Sequence, residues 1–373
     1  MIKGGIIMVM ETTNEVSCAL QEPLNILTFF AKNSSKFFEE FEIPKANGET
    51  RVLSRYFYQK FKTKELETLS SSDVSSKREE MNLKKKINGS WHLRQIHNKI
   101  NNQILKQLDF PEFVHGFLPE RSTITAVRPH VGKEWLIAYD IKDFFGSTTA
   151  KLVRKSLEKH YGFGNSAAWL LSKLVTCKNK LPQGAVSSPI ASNVAFAPFD
   201  MAIGNLCNEY GIAYTRYADD LIFSFNNEEL KNIVLEEIPG LMPEEYKLNK
   251  KKTKIFGPND IHYALGYIVN TKVNVNRTAR RNLEAAIYNF VYKKQIPVEH
   301  ISNPMKYKRS LLGKASYMLK ANPDLGRLKM RFEELKQFDP NKAEFEEYVV
   351  TAENIKGDDN MAKEYLILGK EGG

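Results

Sequence analysis

The chain has 373 residues, 42% of them hydrophobic, which is enough to bury a core and to form two or three subdomains. No apolar run approaches the length of a membrane span, and acidic residues near the start argue against a secretory signal. The three cysteines, Cys18, Cys177 and Cys207, are far apart and lack zinc-binding spacing. A reduced, cytoplasmic protein with no membrane partner is predicted.

Positive charge is concentrated in one segment. The net charge is +10 and the isoelectric point is near 9.2, which predicts a polyanionic partner. Residues 271–331 contain fourteen Lys and Arg against three acids, a net +11, whereas residues 332–373 contain five Lys against eleven acids, a net −6. The excess charge is therefore distributed as a docking surface would require.

The first part of the chain predicts helices followed by a basic hairpin. Apolar residues are spaced as in helices through most of residues 1–70. Asn88-Gly89 is a strong hairpin turn signal, which would put Lys84 to Lys86 on one strand and Arg94 on the other. Such a hairpin is either a solvated surface or a lid whose cations hold a triphosphate. A helix, roughly Lys99 to Leu108, is predicted next.

Two stretches in the middle of the chain place polar groups next to apolar elements. Glu134 to Asp140 predicts a buried strand, with Asp140 at its end either in an Asx turn or in a ligand role. Leu181 to Ile190 predicts a loop that leads into an apolar helix, with Pro189 in the first turn. Such a junction lets the backbone approach a nucleotide closely, although an ordinary loop with a proline start has the same pattern.

A pair of adjacent acids, Asp219-Asp220, lies between two apolar runs within Tyr214 to Phe225. The pattern predicts a strand–turn–strand hairpin whose tip is either a polar turn or a site where a cation offsets the repulsion between the acids. The order of elements from Asp140 to this hairpin fits a split β-α-β-β-α-β sheet, in which the two carboxylate sites are neighbours. They would then hold two Mg²⁺ ions about 3.5–4 Å apart for chemistry on phosphates.

Beyond the hairpin, Tyr263 to Val269 predicts a strand with a glycine in its middle. Three helices are predicted after it, roughly Thr278 to Lys294, Pro304 to Lys320 and Leu325 to Lys336. They carry the +11 charge with tyrosines interleaved, which suits contacts with a nucleic-acid backbone and with bases. The tail after Pro340 is acidic.

Four motifs, in this order, resemble those of reverse transcriptases. Asp140-Ile-Lys-Asp-Phe-Phe145 resembles their first carboxylate motif, Leu181 to Pro189 their nucleotide-pocket loop, Tyr217-Ala-Asp-Asp220 their YxDD box, and Leu265-Gly266-Tyr267 their primer-grip strand. The resemblance spans roughly Lys84 to Pro323. Further segments resemble bacterial retron reverse transcriptases in particular: His115-Gly-Phe117, Arg121-Ser122, Arg128-Pro-His130, Leu311 to Tyr317 and Asn322-Pro323.

The chain departs from the retron pattern at two places. Ala126-Val127 stands where retron enzymes commonly have Asn-Ala, and Ala264-Leu265 stands where they commonly have Val-Thr. Both signatures are linked to the family's own structured RNA. Divergence is therefore expected in RNA recognition, while the intact carboxylates keep the polymerase chemistry.

The resemblance implies an α+β, right-hand polymerase fold with fingers, a ferredoxin-like palm and a helical thumb. The expected domains are N-terminal helices and fingers at 1–130, a palm at 131–263 with 150–180 partly in the fingers, a primer-grip strand and thumb at 264–338, and an acidic tail at 339–373. The implied function is a retron-type RNA-directed DNA polymerase that copies a cognate structured non-coding RNA into branched single-stranded DNA (msDNA) in anti-phage defence. Expected partners are that RNA, its DNA product, dNTPs and an effector protein, whereas the oligomeric state is not predicted.

Site roles follow from the resemblance, residue by residue. Asp140, Asp219 and Asp220 would be the catalytic, metal-binding carboxylates, with Ile141 as a further ligand of the two Mg²⁺ ions. Phe145 would pack under the deoxyribose and reject a 2′-hydroxyl, whereas Phe144 would belong to the core. The expected nucleotide-binding residues are Lys86 (or Lys85), Arg94, Phe145, Gln183, Gly184 and Lys252. The expected nucleic-acid-binding residues are Leu265, Gly266, Tyr267, Arg280, Arg281, Lys308, Arg309 and Lys314.

Three other functions share part of this pattern. Another prokaryotic defence enzyme, such as an abortive-infection reverse transcriptase, would share the palm but use a different RNA or none. A non-catalytic RNA-binding scaffold would tolerate loss of the carboxylates, which this chain retains. A nucleotide cyclase has a similar palm topology but no use for the Gln183 loop or for a basic thumb.

Overall fold

The computed structural model describes residues 9–44, 50–56 and 91–348. These residues form two compact units, each treated separately below. The first holds the described residues up to Pro258 except 130–133, and the second holds 130–133 and the residues from Asn259 onward.

The first unit is mixed helix and sheet. Its helices are α1 (Thr13–Leu20), α2 (Leu24–Asn33), α3 (Trp91–Lys99), α4 (Thr123–Val127), α5 (Phe144–Ser147), α6 (Ala150–Lys159), α7 (Asn165–Val175), α8 (Ser188–Tyr210), α9 (Leu230–Asn232) and α10 (Ile238–Gly240). Its strands are β1 (Phe38–Pro44), β2 (Thr50–Tyr56), β3 (Trp135–Lys142), β4 (Ala213–Tyr217), β5 (Asp220–Phe225), β6 (Lys247–Leu248) and β7 (Lys254–Phe256). The longest helix, α8, has proline in its first turn and ends at Gly211 in the left-handed conformation, as sequence signals of this kind predict.

The central sheet has the strand order β4-β5-β3, and β6 and β7 both pair with the far edge of β3. Every pairing is antiparallel. Numbered from β3, this is the order of a split β-α-β-β-α-β sheet, so the predicted topology is confirmed. β3 continues two residues beyond Asp140, because Ile141 and Lys142 pair with β6.

The prediction that residues 1–70 are largely helical is wrong beyond α2. β1 and β2 form an antiparallel hairpin, in register from Phe38 opposite Tyr56 to Pro44 opposite Thr50. The sequence carries a signal for it in Asn47-Gly48, a dipeptide typical of two-residue hairpin turns.

The predicted strand that would carry Arg94 is also wrong, because Trp91–Lys99 is the helix α3. Leu93, Ile96, Ile100 and Ile104 recur every three or four residues, and all four are buried in the core. The Lys84 to Lys86 segment lies outside the described residues.

The second unit contains a short hairpin and three packed helices. Its elements are β8 (Tyr263–Ala264), β9 (Tyr267–Ile268), α11 (Arg277–Val291), β10 (Gln295–Pro297), α12 (Pro304–Ala321), α13 (Gly326–Gln337) and β11 (Glu346–Tyr348). The three predicted helices are confirmed. The single strand predicted for Tyr263 to Val269 is wrong, because Leu265 and Gly266 both have positive φ (47° and 82°) and turn the chain between β8 and β9. No helix among the described residues is both long enough and apolar enough to cross a membrane.

Candidate active site

Three carboxylates meet at one end of the central sheet. Asp140 on β3 lies opposite Asp220, the first residue of β5. Asp219 precedes it in the β4–β5 turn, and its carbonyl accepts a hydrogen bond from the Ile141 amide at 2.8 Å. That contact fixes the turn against β3. Asp140 is thereby brought beside Asp219 and Asp220, which are far from it in the sequence.

The environment of these acids disfavours negative charge. Burial raises the pKa of Asp219, and the charge of Asp140 raises it further. Burial and the charges of Asp219 and Asp140 raise the pKa of Asp220 to about 7. A cluster of this kind calls for a cation, since repulsion between neighbouring carboxylates is relieved by an opposite charge.

Lys252 supplies one such cation. Its ammonium donates to Asp140 Oδ2 at 2.9 Å. Burial by itself would lower the pKa of Lys252, but the hydrogen bond to Asp140 and the nearby acids raise it overall, so the side chain stays charged. Among the five lysines of residues 247–254, the structure thus brings the one singled out by resemblance to the carboxylates.

A buried ion pair supports the turn from behind. Arg216 and Asp200 are both fully buried, and the guanidinium donates to both carboxylate oxygens, at distances from 2.6 to 3.1 Å. The same guanidinium donates to the Ala218 carbonyl at 3.0 Å, immediately before Asp219. The backbone of the β4–β5 turn is therefore tied to the core, and no local sequence signal predicts this pair.

The segment around Gly116 packs on the other side of the turn. The His115 amide donates to the Arg216 carbonyl at 2.8 Å. A Cβ at Gly116 would lie 2.6 Å from the Ala218 nitrogen, so only glycine allows this approach. The next residue, Phe117, has a φ of +64° and packs against Phe145 and Tyr217, with ring centroids 6.4 and 6.3 Å apart.

The two phenylalanines after the first carboxylate motif differ in environment. Phe144 is buried and contacts Phe196 and Tyr246. Phe145 is only partly buried and packs on the edge of the core beside Phe117. This placement leaves Phe145 available to a substrate and Phe144 committed to packing.

The segment Pro182–Ser188, termed the pocket loop here, lies against β2. The Ser54 amide donates to the Gln183 carbonyl at 2.7 Å. Gly184 has a φ of +127°, and a Cβ there would lie 2.2 Å from the Ser54 carbonyl oxygen. The backbone at Gln183-Gly184 is thus held in one place by contacts that only glycine at 184 permits.

Of the cations expected to bind a triphosphate, the one that the structure describes does not lie where the sequence predicts. Arg94 projects from α3 and not from a hairpin strand, while Lys85 and Lys86 lie outside the described residues. Arg51 on β2 is close enough to Asp219 for its charge to oppose the rise in the pKa of that carboxyl group. The sequence signal for the hairpin that carries Arg51 is Asn47-Gly48.

In the second unit, the expected nucleic-acid-binding residues fall into two groups. Arg281 and Arg309 are exposed, as a contact surface requires. Lys308 instead donates to the Lys336 and Phe338 carbonyls at 3.0 and 2.6 Å, and burial lowers the pKa of Lys314. These two lysines are less suited to phosphate binding than their sequence positions imply.

Other members of the expected surface are also engaged within the protein. The Arg280 guanidinium lies 3.6 Å from the Glu284 carboxylate. Leu265 and Gly266 form the β8–β9 turn, but the Tyr267 side chain is fully buried and stacks on Tyr317 at 5.2 Å. The Tyr267 side chain is therefore committed to packing within the second unit.

Both departures from the retron motifs involve the interior. Ala126 and Val127 are completely buried, and the Ala126 carbonyl accepts a hydrogen bond from Thr215 at 2.9 Å. Ala264 is also buried. These three side chains contribute to packing and cannot contact RNA directly.

Comparisons with known proteins agree with the motifs. Residues 83–269, half of the chain, match the family described as Reverse transcriptase (RNA-dependent DNA polymerase). The retron Ec86 reverse transcriptase of Escherichia coli is 30% identical over 230 residues, which cover 61% of this chain and 71% of that protein. The retron Mx65 reverse transcriptase of Myxococcus xanthus is 28% identical over 240 residues, which cover 59% of this chain and 56% of that protein.

Solved structures show a weaker similarity. Apo telomerase from Candida Tropicalis has a TM-score of 0.45 and 12% identity, over 87% of this chain and 68% of that chain. This similarity adds nothing to the sequence match. On the family match over half its length and the identity to retron enzymes, the chain belongs to the reverse transcriptases, RNA-directed DNA polymerases with the right-hand fold, and within them to the bacterial retron type.

Proposed function

We propose that this reverse transcriptase copies a cognate structured RNA into branched single-stranded DNA, with Asp140, Asp219 and Asp220 as its catalytic carboxylates. The proposal depends above all on the register that puts Asp140 opposite Asp220 and ties Asp219 to Ile141. Adjacent, partly buried acids with raised pKa values are costly in a purely structural role.

The donor set suits two Mg²⁺ ions. In the described parts of the chain, no three His, Cys, Asp or Glu side chains converge closely enough to hold a metal ion by themselves. Mg²⁺ sites of polymerases need only one or two carboxylates, because water and substrate phosphates complete the shell. Asp140, Asp219, Asp220 and the Ile141 carbonyl would be the protein ligands. When bound, the ions would lower the pKa of the attacking hydroxyl and neutralise the departing pyrophosphate.

The protein groups around the carboxylates have complementary tasks. Lys252 would hold Asp140 in place and add positive charge beside the phosphates. The Gln183-Gly184 backbone would contact the incoming nucleotide, and Phe145 would lie under its sugar. Arg51 would hold the triphosphate from β2, the role that sequence analysis gave to Lys86 and Arg94.

A primer-extension assay with matched variants tests the carboxylate assignment. Asp219→Asn should abolish dNTP incorporation on an RNA template without lowering the unfolding midpoint, because it removes a charge that burial and Asp140 disfavour. Asp143→Asn is the control, because Asp143 is exposed and stands outside the proposed site. Retention of activity by Asp219→Asn would refute the assignment and favour a non-catalytic RNA-binding scaffold.

The nucleic acid that copurifies with the protein tests the retron product. The exposed Arg281 and Arg309 of the second unit support an RNA partner. Sequencing should recover one structured RNA joined to DNA through a 2′–5′ branch. Unbranched DNA, or DNA without an attached RNA, would instead indicate another prokaryotic reverse transcriptase, such as an abortive-infection enzyme.

The cellular role that we propose is anti-phage defence with an effector protein encoded nearby, in the cytoplasm. Similarity to retron enzymes supports this extension. Cells carrying the locus should lose phage protection when Asp219 and Asp220 are both changed to Asn, and unchanged protection would contradict the role of DNA synthesis. The domains that we propose are N-terminal helices and fingers at 1–130, a palm at 131–263 with 150–180 partly in the fingers, a primer-grip strand and helical thumb at 264–338, and an acidic tail at 339–373.

A further inference from the structure

The pocket loop is held by side chains that the proposed site does not use. His97 is completely buried, and its Nε2 lies 2.8 Å from the Leu174 carbonyl oxygen. Since a carbonyl oxygen only accepts hydrogen bonds, Nε2 carries the proton. Burial lowers the pKa of His97 to about 4, so the ring is neutral and its Nδ1 is an acceptor.

Tyr56 connects this histidine to the pocket loop. The Tyr56 hydroxyl lies 2.8 Å from His97 Nδ1 and accepts a hydrogen bond from the Val186 amide at 3.1 Å. Its own proton therefore goes to Nδ1. The result is a chain of three directed hydrogen bonds that runs from the Val186 amide through Tyr56 and His97 to the Leu174 carbonyl.

Two further contacts fix the same part of the loop. Asn101 donates to the Val186 carbonyl at 2.6 Å, and the Ser187 hydroxyl lies 3.0 Å from His97 Nδ1, whose one lone pair it shares with the Tyr56 hydroxyl. Both polar groups of the Val186 backbone are thus held by side chains from outside the loop.

The contacts have a common geometry. Tyr56 is on β2, the strand whose Ser54 amide binds the Gln183 carbonyl and which also carries Arg51 near Asp219. The pocket loop is thus fastened to β2 at two points, three residues apart in the loop. We call the contacts of Ser54 with Gln183 and of Tyr56 and His97 with Val186 the clamp. Any movement of β2 away from the pocket loop must break it.

We propose that Tyr56 and His97 are positioning residues, which set the affinity for the incoming dNTP by holding the pocket loop against β2. The inference depends on the proposed function, since it assumes that Gln183 and Gly184 contact the nucleotide. It assigns no chemical step to either residue. Their contribution is to fix the loop before the nucleotide arrives, so that binding does not have to order it.

Steady-state primer extension with poly(rA)·oligo(dT) and varied dTTP tests the clamp. Tyr56→Phe removes only the hydroxyl and keeps the ring that packs on Phe38 and His97. The KM for dTTP should rise roughly 5- to 30-fold with little change in kcat, as expected when one or two hydrogen bonds that order a loop are lost. A merely structural role would lower the active fraction, and hence the apparent kcat, without changing KM.

Tyr139→Phe is the matched control. Its hydroxyl is also buried, but it donates to a backbone carbonyl outside the pocket loop, that of Val234 at 3.0 Å. Its KM should equal that of the unmodified protein. His97→Leu should raise KM as Tyr56→Phe does, whereas His97→Gln, which can still donate to Leu174 and accept from Tyr56, should restore most of the affinity.

The outcomes separate the two proposals. A protein that does not extend the primer at all overturns the proposed function, and the clamp with it. An active protein whose KM is unchanged in Tyr56→Phe and His97→Leu overturns the clamp alone. If Tyr56→Phe does not fold, Asn101→Ala decides, because it releases the Val186 carbonyl and should raise KM in the same way.

Discussion

Replacing one member of the buried Arg216–Asp200 pair should lower the free energy of unfolding. Asp200→Asn keeps the side-chain volume and one acceptor oxygen, but it leaves the Arg216 charge unpaired in a fully buried position. Breaking a buried pair costs about 3–5 kcal/mol. Because domains of this size are stable by about 5–15 kcal/mol, the loss is a large fraction of the free energy of unfolding.

Urea unfolding followed by far-UV circular dichroism measures this loss as a lower midpoint at an unchanged slope. Glu40→Gln is the control, since the Lys178–Glu40 pair has a similar distance, 3.0 Å, but is exposed and should contribute less than about 1 kcal/mol. A loss for Asp200→Asn that matches the control would refute the reasoning.

A double variant separates stability from activity. Replacing the pair by apolar residues, Asp200→Leu with Arg216→Met, should recover part of the stability, because no buried charge remains unpaired, although the Tyr214 hydroxyl and the Asn193 side chain lose their partners. It also removes the hydrogen bond to the Ala218 carbonyl beside Asp219. Primer extension should therefore stay low although the protein folds, and full activity would show that the turn needs no such support.

Further predictions concern four single positions. Burial lowers the pKa of His97 from its ordinary 6.5 to about 4 in the folded protein. The free energy of unfolding measured in urea should therefore be highest above pH 6.5 and should fall by on the order of 3 kcal/mol as the pH falls toward 4. Gly184→Ala forces a Cβ against the Ser54 carbonyl at positive φ and should raise the KM for dTTP roughly 10-fold or more. Phe145→Ala should increase incorporation of rNTPs relative to dNTPs in primer extension, whereas Phe144→Ala should chiefly lower the free energy of unfolding, by about 3–5 kcal/mol.

Each of these has an outcome that contradicts it. A His97→Gln variant with the same pH dependence as the unmodified protein would show that another group titrates. An unchanged KM in Gly184→Ala would mean that the loop moves away from β2 without cost. Equal rNTP discrimination in Phe145→Ala and the unmodified protein would place the sugar elsewhere.

The carboxylate site could be predicted because its signals are local. Asp140 and Asp219-Asp220 stand at the ends of apolar runs, where acids are costly, and the order of elements brings those ends to one sheet edge. The helices of the second unit could be predicted equally well, since the spacing of their apolar residues is regular over many residues. Local pattern and tertiary structure agree at these places.

Two features around the carboxylates could not be predicted, the β1–β2 hairpin and the Arg216–Asp200 pair, each for its own physical reason. Asn-Gly occurs twice in the sequence, and the dipeptide alone does not show which copy joins two strands. The helical spacing of Leu93, Ile96 and Ile100 after the second copy favours a helix over a strand there. Arg216 could not be predicted for another reason: no local sequence signal shows that it is buried. A charged residue within a strand reads as exposed, and its partner on α8 is identified only by packing.

Asp140 lies where β3 changes partner from β7, at residues 136–138, to β6, at residues 141–142. Residues 249–253 arch over this point, and the Asn249 amide binds the Asp140 carbonyl at 2.8 Å. Lysine also occupies both positions before Lys252 in that arch. A one-residue slip of the arch toward its C-terminal end puts Lys251 where Lys252 stands, so an ammonium group would still lie beside the same carboxylate, whereas the opposite slip would put Thr253 there.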